Sequence, residues 1–257
     1  MDLQLSGRRV LVTGSYRGTG LIIAQQFIRE GARVYVHGLA RGQAAAAVNE
    51  IGGGEPVTGD IACEAGCEAL FRELADNCPD ILINNYGTAA AGTWATGSAE
   101  WLDSYQKNVL SAQRLIRQFL PTMRDREWGR IINLGTIGST RPNARMPHYY
   151  SAKGALATMT ISLAKEVAGT GIRVNLVSPG MILTPEVRDA YLKSARQKGW
   201  GDTWEEIEPR IAQDIPIRRI VRRKEVADLV TFLASPLADG IHGQNIRIDG
   251  GALDTLS

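Results

Sequence analysis

Two short stretches of this chain carry side chains at spacings suited to moving a proton and holding a phosphate. Tyr149-Tyr150-Ser151-Ala152-Lys153 sets a tyrosine four residues before a lysine. On a helix such a pair shares one face. An ammonium beside a phenol favours the phenolate, because opposite charge stabilises the ionised form. An unperturbed tyrosine, with a pKa of roughly 10, is a poor acid–base catalyst near neutrality, so such tuning has a purpose. Tyr150, three residues before Lys153, competes for the same role. The second stretch is Thr13-Gly14-Ser15-Tyr16-Arg17-Gly18-Thr19-Gly20. It follows the apolar run Val10-Leu11-Val12 and opens an amphipathic run from Leu21 to Phe27. Strand, glycine-rich turn and helix, in that order, let backbone N–H groups and a helix N-terminus hold a pyrophosphate. Each stretch alone has a plain structural reading. Tyr and Lys at this spacing are common on solvated helix faces, and the glycines can mark only a tight turn. Together they point to a dinucleotide site beside a proton donor.

The elements that must position these residues are legible as alternation. Strands are predicted at Arg8–Thr13, Arg33–His37, Pro56–Thr58, Ile81–Asn84, Arg130–Leu134, Ile172–Val177 and Asn245–Ile248. Helices are predicted at Gly18–Glu30, Arg41–Ile51, Glu64–Asn77, Ala99–Arg124, His148–Ala168 and Lys224–Ser235. Strands alternating with helices imply an α/β fold: a parallel sheet covered on both faces. No linker or repeat interrupts the rhythm, so residues 1–257 are expected to form a single domain. Met181–Pro216 departs from it. Tyr191, Trp200 and Trp204 stand there among many charges. The segment reads as a helical lid over the C-terminal edge of the sheet, where open α/β sheets bind ligands. The two tryptophans suggest a bulky or ring-containing substrate, although lid aromatics more often only pack the lid.

Composition narrows the function classes. The chain has 257 residues, 44% hydrophobic and 22% charged, with a formal charge of +2. That balance gives no reason to expect nucleic acid as a partner. No apolar run is long enough to span a bilayer, and Met1–Gly7 lacks a secretory signal pattern, so a cytoplasmic location and no membrane partner are expected. Cys63, Cys67 and Cys78 have no zinc-like spacing and read as reduced thiols; no metal is expected. His37, His148 and His242 make no cluster.

In combination and order, these motifs resemble the short-chain dehydrogenase/reductase family over nearly the whole chain, in particular its 3-oxoacyl reductase-like branch. The resemblance implies a Rossmann-type doubly wound sheet and reversible hydride transfer between a nicotinamide cofactor and a small-molecule ketone or secondary alcohol. It implies Tyr149 as general acid/base, because the family motif has three intervening residues. Lys153 lowers the Tyr149 pKa and binds the nicotinamide ribose, helped in the oxidised complex by the positive nicotinamide ring. Asn108, in Gln106-Lys107-Asn108-Val109, matches the asparagine that anchors a relay water. The family usually has a serine thirteen residues before the tyrosine; here that residue is Thr136. Threonine keeps the hydroxyl that donates to a substrate carbonyl, and its methyl narrows the pocket. Ser139 could replace it only if the loop bends unusually.

The same resemblance assigns cofactor contacts to Gly14, Ser15, Arg17, Gly18, Thr19 and Gly20, and to His37 and Gly38 at the end of the second strand. Asp60 and Ile61 follow as the adenine turn, although Asp60 can also be read as a helix N-cap. Asn85 and Gly87 lie in Asn84-Asn85-Tyr86-Gly87, where Tyr86 replaces the usual alanine. Pro179, Gly180, Ile182 and Thr184 match the segment that holds the carboxamide; Tyr149 and Lys153 complete the set. No acid occurs between Glu30 and Glu50. An acid there would hold the 2′-hydroxyl of NAD and repel a 2′-phosphate. With Arg17 in the glycine turn, and Arg41 adding charge, NADP(H) is expected over NAD(H). Reductases acting on acyl carrier protein tend to carry arginines where Glu127 and Thr170 stand, so a free small molecule is the better expectation than an acidic carrier. 3-Oxoacyl-[acyl-carrier-protein] reduction and a non-catalytic NADP-binding regulator are the alternatives. Family analogy also implies a homotetramer, pairing Ala99–Arg124 and His148–Ala168 across a dimer, with a second contact at the C-terminal strand.

Overall fold

The computed structural model describes residues 1–255, apart from the side chain of Arg41, so the charge expected from Arg41 falls outside it. Seven strands form one parallel sheet: β1 (Arg9–Val12), β2 (Arg33–Gly38), β3 (Glu55–Thr58), β4 (Ile81–Asn84), β5 (Gly129–Leu134), β6 (Ile172–Pro179) and a last strand, Asn245–Ile248. Their order is β3-β2-β1-β4-β5-β6 with the last strand outermost. Every residue of β4 and β5 is buried. A parallel sheet is covered on both faces, which is why Ile81-Leu82-Ile83 and Ile131-Ile132 read as apolar stretches without alternation. The chain runs outward from β1 to β3, then returns to β4 on the other side of β1. That reversal opens a crevice at the carboxyl ends of β1 and β4, where the glycine stretch and Asn85 both lie.

One face of the sheet packs against α1 (Gly18–Arg29) and a helix at Arg223–Leu233, through Leu21, Ile23 and Phe27 against Val226, Val230 and Leu233; α2 (Arg41–Ile51) adds Ala47. The other face carries α3 (Glu64–Leu74), α5 (Ser111–Asp125) and α6 (Pro147–Glu166), with Leu70, Phe119 and Leu156 against Leu82 and Val174. The fold is therefore a Rossmann-type doubly wound sheet. Among the described residues no helix is long and apolar enough to cross a membrane.

Two elements differ from the sequence reading. The helix predicted over Ala99–Arg124 is α4 (Ser98–Tyr105) and α5 joined by a π-helical turn, Gln106–Leu110. Helical periodicity runs through such a turn almost unbroken, so the pattern alone does not reveal it. Isolated π turns recur at functional sites, and this one contains Asn108. Within 181–216, β7 (Ile182–Leu183) precedes α7 (Pro185–Gln197) and α8 (Trp204–Ile211), and it pairs with β8 (Val221–Arg222) just beyond the segment. A two-residue strand has too few positions to show a period. The helix Arg223–Leu233 is α9, and Asn245–Ile248 is β9. Trp204 is buried with Ala195, Ile207 and Ile220 in a separate cluster, so it packs its own segment. Trp200 sits under Lys198, 4.5 Å from the ring centroid.

Candidate active site

The glycine turn is built as a receptor for something close to the backbone. Gly14 and Gly18 both take φ of +63°, a region where a Cβ costs energy. A Cβ on Gly20 would run into the Asn85 side-chain amide and lie 2.8 Å from the Gly14 carbonyl oxygen. Thr13 Oγ1 accepts from the backbone N–H groups of Asn85 and Tyr86, at 3.0 and 2.9 Å, and Asn85 Nδ2 donates to the Thr13 carbonyl at 2.9 Å. The loops after β1 and β4 are thus stitched together across the crevice.

Two adjoining cavities occupy that crevice. One, of about 330 Å³, is lined by Thr19, Asn85, Gly87, Asn108, Tyr149, Lys153, Pro179, Ile182 and Thr184, with Thr88, Ala89, Leu134 and Gly135. The other, of about 210 Å³, is lined by Gly14, Tyr16, Arg17, Leu39, Tyr86 and Lys107, and shares Asn85, Gly87 and Thr88 with the first. A Cβ on Gly87 would collide with Asn108 Oδ1 and come within 3.3 Å of Lys153 Nζ. Bare backbone at Gly14, Gly20 and Gly87, one exposed cation and two joined cavities fit an extended dinucleotide. Tyr16, Tyr86, Leu39, Thr88 and Lys107 line the site without having been singled out as contacts; their signal was adjacency to the glycine and Asn-Asn motifs.

Around the first cavity, the π turn aims Asn108 inward. Its Nδ2 donates to the carbonyls of Thr88 and Ser104, both at 3.0 Å, and its Oδ1 accepts from Thr88 N–H at 3.2 Å. Lys153 is buried and its Nζ donates to the Leu134 carbonyl at 2.8 Å. Tyr149 lines the same cavity; Tyr150 turns away, its hydroxyl accepting from Asn143 Nδ2 at 3.1 Å. Burial pushes the Tyr149 phenol up to about 12, with a smaller contribution from Tyr150. Burial lowers Lys153 to about 8. The expected lowering of the tyrosine by the lysine is therefore not what this arrangement gives. Desolvation disfavours both charged forms, and Nζ lies 6.0 Å from the Tyr149 ring centroid.

Several expected contacts land elsewhere. His37 is fully buried with both ring nitrogens bonded to the protein, Gly14 N–H donating to Nδ1 at 3.0 Å and Nε2 lying 2.9 Å from the Gly59 carbonyl oxygen. Ser15 is also fully buried, its hydroxyl donating to the Val12 carbonyl and accepting from His37 N–H. Neither side chain can touch a ligand. The Ile61 side chain is in the core. Asp60 Oδ1 accepts from Ala62 N–H at 3.1 Å, and the N-cap of α3 is Cys63. Gly38 is hemmed in: a Cβ there would lie 3.1 Å from Ala44 N. It is Leu39, 38% exposed, that presents a side chain beside Arg17. Gly18 and Gly180 shape the backbone rather than line a cavity, Gly180 N–H donating to the Ile248 carbonyl at 3.0 Å.

Thr136 stands at the end of β5, outside the cavity lining. Its Oγ1 accepts from Gly138 N–H at 3.2 Å. This leaves its own proton to donate. Ser139 Oγ donates to the Thr136 carbonyl at 2.7 Å, so the loop does not bend to offer that serine. Thr184 caps α7, its Oγ1 accepting from Val187 N–H at 3.2 Å. Arg17 is exposed, 5.3 Å from the Tyr16 ring centroid. Glu186, at the start of α7, is held below the usual carboxylate range by its own backbone N–H and Thr184, with smaller contributions from Arg17 and Arg223.

This arrangement has close parallels. Residues 14–252 match the family model described as Enoyl-(Acyl carrier protein) reductase. The chain is 33% identical to the Uncharacterized oxidoreductase YvaG of Bacillus subtilis, over all of both proteins. It is 32% identical to the 3-oxoacyl-[acyl-carrier-protein] reductase FabG of Vibrio harveyi, covering 97% of this chain and 98% of that one. Among solved structures, the L-sorbose reductase of Gluconobacter frateurii, complexed with NADPH and L-sorbose, superposes with a TM-score of 0.91 at 32% identity over the full length of both chains. The resemblance read from the motifs holds: the chain belongs to the short-chain dehydrogenase/reductase family of NAD(P)-binding oxidoreductases.

Proposed function

We propose that this chain catalyses reversible hydride transfer between NADP(H) and a small-molecule ketone or secondary alcohol. One observation carries the reading: Tyr149, Lys153 and Asn108 converge on a cavity that adjoins a second, glycine-lined one. When bound, a nicotinamide supplies or accepts the hydride; the protein positions the reactants and handles the proton. Tyr149, a phenol protonated at neutrality in any case and pushed further up by burial, acts as the acid toward a carbonyl oxygen. The Thr136 hydroxyl donates to the same oxygen as charge builds there. Lys153, fixed to the Leu134 carbonyl, presents its remaining N–H donors to a ribose. Asn108, fixed by Thr88 and Ser104, orders a water behind it. Pro179, Ile182 and Thr184 line the same cavity and would hold the nicotinamide.

The NADP(H) preference rests on charge. The Arg17 guanidinium has no hydrogen-bond or ion-pair partner among the described residues, and no carboxylate lines the second cavity. Residues 1–257 act as one domain in this reading, with 181–216 as the substrate lid, in a cytoplasmic homotetramer. Light scattering at micromolar concentration tests the assembly; a monomer would reject it. Following NADPH consumption over a panel of ketones, L-sorbose among them, tests the reaction. A 3-oxoacyl thioester belongs in the panel, because FabG proteins are among the relatives. The free thioester being reduced far better than any small ketone would favour that second reading. A chain that binds NADPH and turns over nothing would be a regulator.

A further inference from the structure

His37 is the point at which two halves of the dinucleotide crevice are tied together. Its backbone N–H donates to Ser15 Oγ at 2.8 Å and its carbonyl accepts from Tyr16 N–H at 3.2 Å. Its ring spans from Gly14 N–H, at 3.0 Å, to the Gly59 carbonyl, at 2.9 Å. An amide N–H can only donate and a carbonyl can only accept. Nδ1 must therefore be bare and Nε2 must carry the hydrogen, which makes the ring neutral in one tautomer. Full burial agrees, lowering the imidazole to about 4. The Gly14 amide belongs to the turn read as the pyrophosphate loop, and Gly59 precedes Asp60 in the turn read as the adenine pocket.

We propose that His37 is a positioning residue which, as the neutral Nε2-protonated tautomer, fixes the glycine turn against the Gly59–Asp60 turn, so that the pyrophosphate and adenine sites are held at one spacing. The assignment rests on the reading of the chain as a dinucleotide-dependent enzyme. It differs from a contact at the ribose 2′ position, because pyrophosphate and adenine are common to NADPH and NADH. Loss of the bridge must weaken both cofactors alike. A hydrophobic side chain of similar bulk fills the space and leaves the Gly14 amide and the Gly59 carbonyl without partners. Glutamine carries one acceptor and one donor on its amide and can take over the bridge.

Titrating wild type, His37→Leu and His37→Gln with NADPH and NADH, followed by steady-state rates, tests this. His37→Leu is expected to weaken both cofactors by roughly fivefold to tenfold, as losing a hydrogen bond to a buried amide does, with kcat at saturation within about twofold of wild type. His37→Gln is expected to recover most of that loss. A change in the NADPH-to-NADH ratio would overturn the proposal in favour of a 2′-side contact. Unchanged cofactor affinities with a lowered melting temperature would overturn it in favour of simple packing. Two measurements hold even where His37→Leu does not fold: the His37→Gln titration, and nitrogen NMR of the wild-type histidines at neutral pH. A protonated Nδ1, or a cationic ring, would overturn the assignment. A wild type that binds neither cofactor would remove the functional reading as well, which the other failures would not.

Discussion

The Lys153 ammonium lies 6.0 Å from the centroid of the Tyr149 ring and donates to the Leu134 carbonyl oxygen at 2.8 Å. The two groups share a cavity without forming a pair. Burial then acts on each separately: the phenol is pushed up to about 12 and the ammonium down to about 8. A protonated tyrosine beside a cation suits donation to a carbonyl, the reductive direction.

Ketone reduction should therefore be level through neutrality and decline as pH rises through about 8, where Lys153 loses its proton. The same group affects stability with a defined sign. Between about 8 and 10.5 the unfolded chain holds a proton that the folded chain has released, so this group makes stability rise with pH in that window. A kcat profile that stays flat well above that range would separate Lys153 from catalysis.

On the acid side His37 contributes in the window just below neutrality. Its folded value of about 4 lies below its ordinary 6.5. Across that window the unfolded chain binds the additional proton, so stability falls as pH drops through it. The full effect is roughly 3 kcal/mol below the folded value. Urea unfolding of wild type and His37→Gln between about pH 4 and 7 should show a shallower slope for the variant; parallel slopes would contradict this.

Thr136→Ser should keep activity and Thr136→Val should lose it. Removing one donor to a developing oxyanion costs roughly 3–4 kcal/mol, a loss of two to three orders of magnitude in kcat. Because Thr136 Oγ1 also accepts from Gly138 N–H, the melting temperature of each variant must be measured alongside. A stable, active Thr136→Val enzyme would show that this hydroxyl does not touch the carbonyl.

Arg17→Ala should weaken NADPH with little effect on NADH. A charge-assisted contact contributes roughly 1.5–3 kcal/mol, so the change should exceed about tenfold. Leu39→Asp is the cleaner reversal than a carboxylate at Gly38, where a Cβ would press on Ala44 N at 3.1 Å. Isothermal titration with both cofactors reads this directly; equal NADPH affinity in wild type and Arg17→Ala would place the guanidinium in solvent.

The parallel sheet was legible because β4 and β5 are buried on both faces and carry apolar stretches without alternation at Ile81-Leu82-Ile83 and Ile131-Ile132. The placing of Tyr149 and Lys153 on one cavity was legible as spacing, which a helix converts into a shared face. What spacing could not convey was the direction of burial. His37 and Ser15 sit in the right segment, yet their side chains point into the protein. Leu39 points to the crevice, one residue beyond the position that the strand pattern favours. The π turn at Asn108 and the two-residue pairing of β7 with β8 were hidden because neither changes the hydrophobic period over enough residues to register.

Tyr149, and not Tyr150, is the proposed proton donor. Measuring NADPH binding and ketone-dependent NADPH consumption in wild type, Tyr149→Phe and Tyr150→Phe tests this most directly. Wild type should reduce at least one ketone of the panel. Tyr149→Phe should bind NADPH nearly as tightly while its turnover falls by two to four orders of magnitude, the range roughly expected for a lost general acid. Tyr150→Phe, which loses only its bond to Asn143, should stay active. A Tyr149→Phe enzyme that keeps its rate, or a Tyr150→Phe enzyme that loses it, would contradict the account.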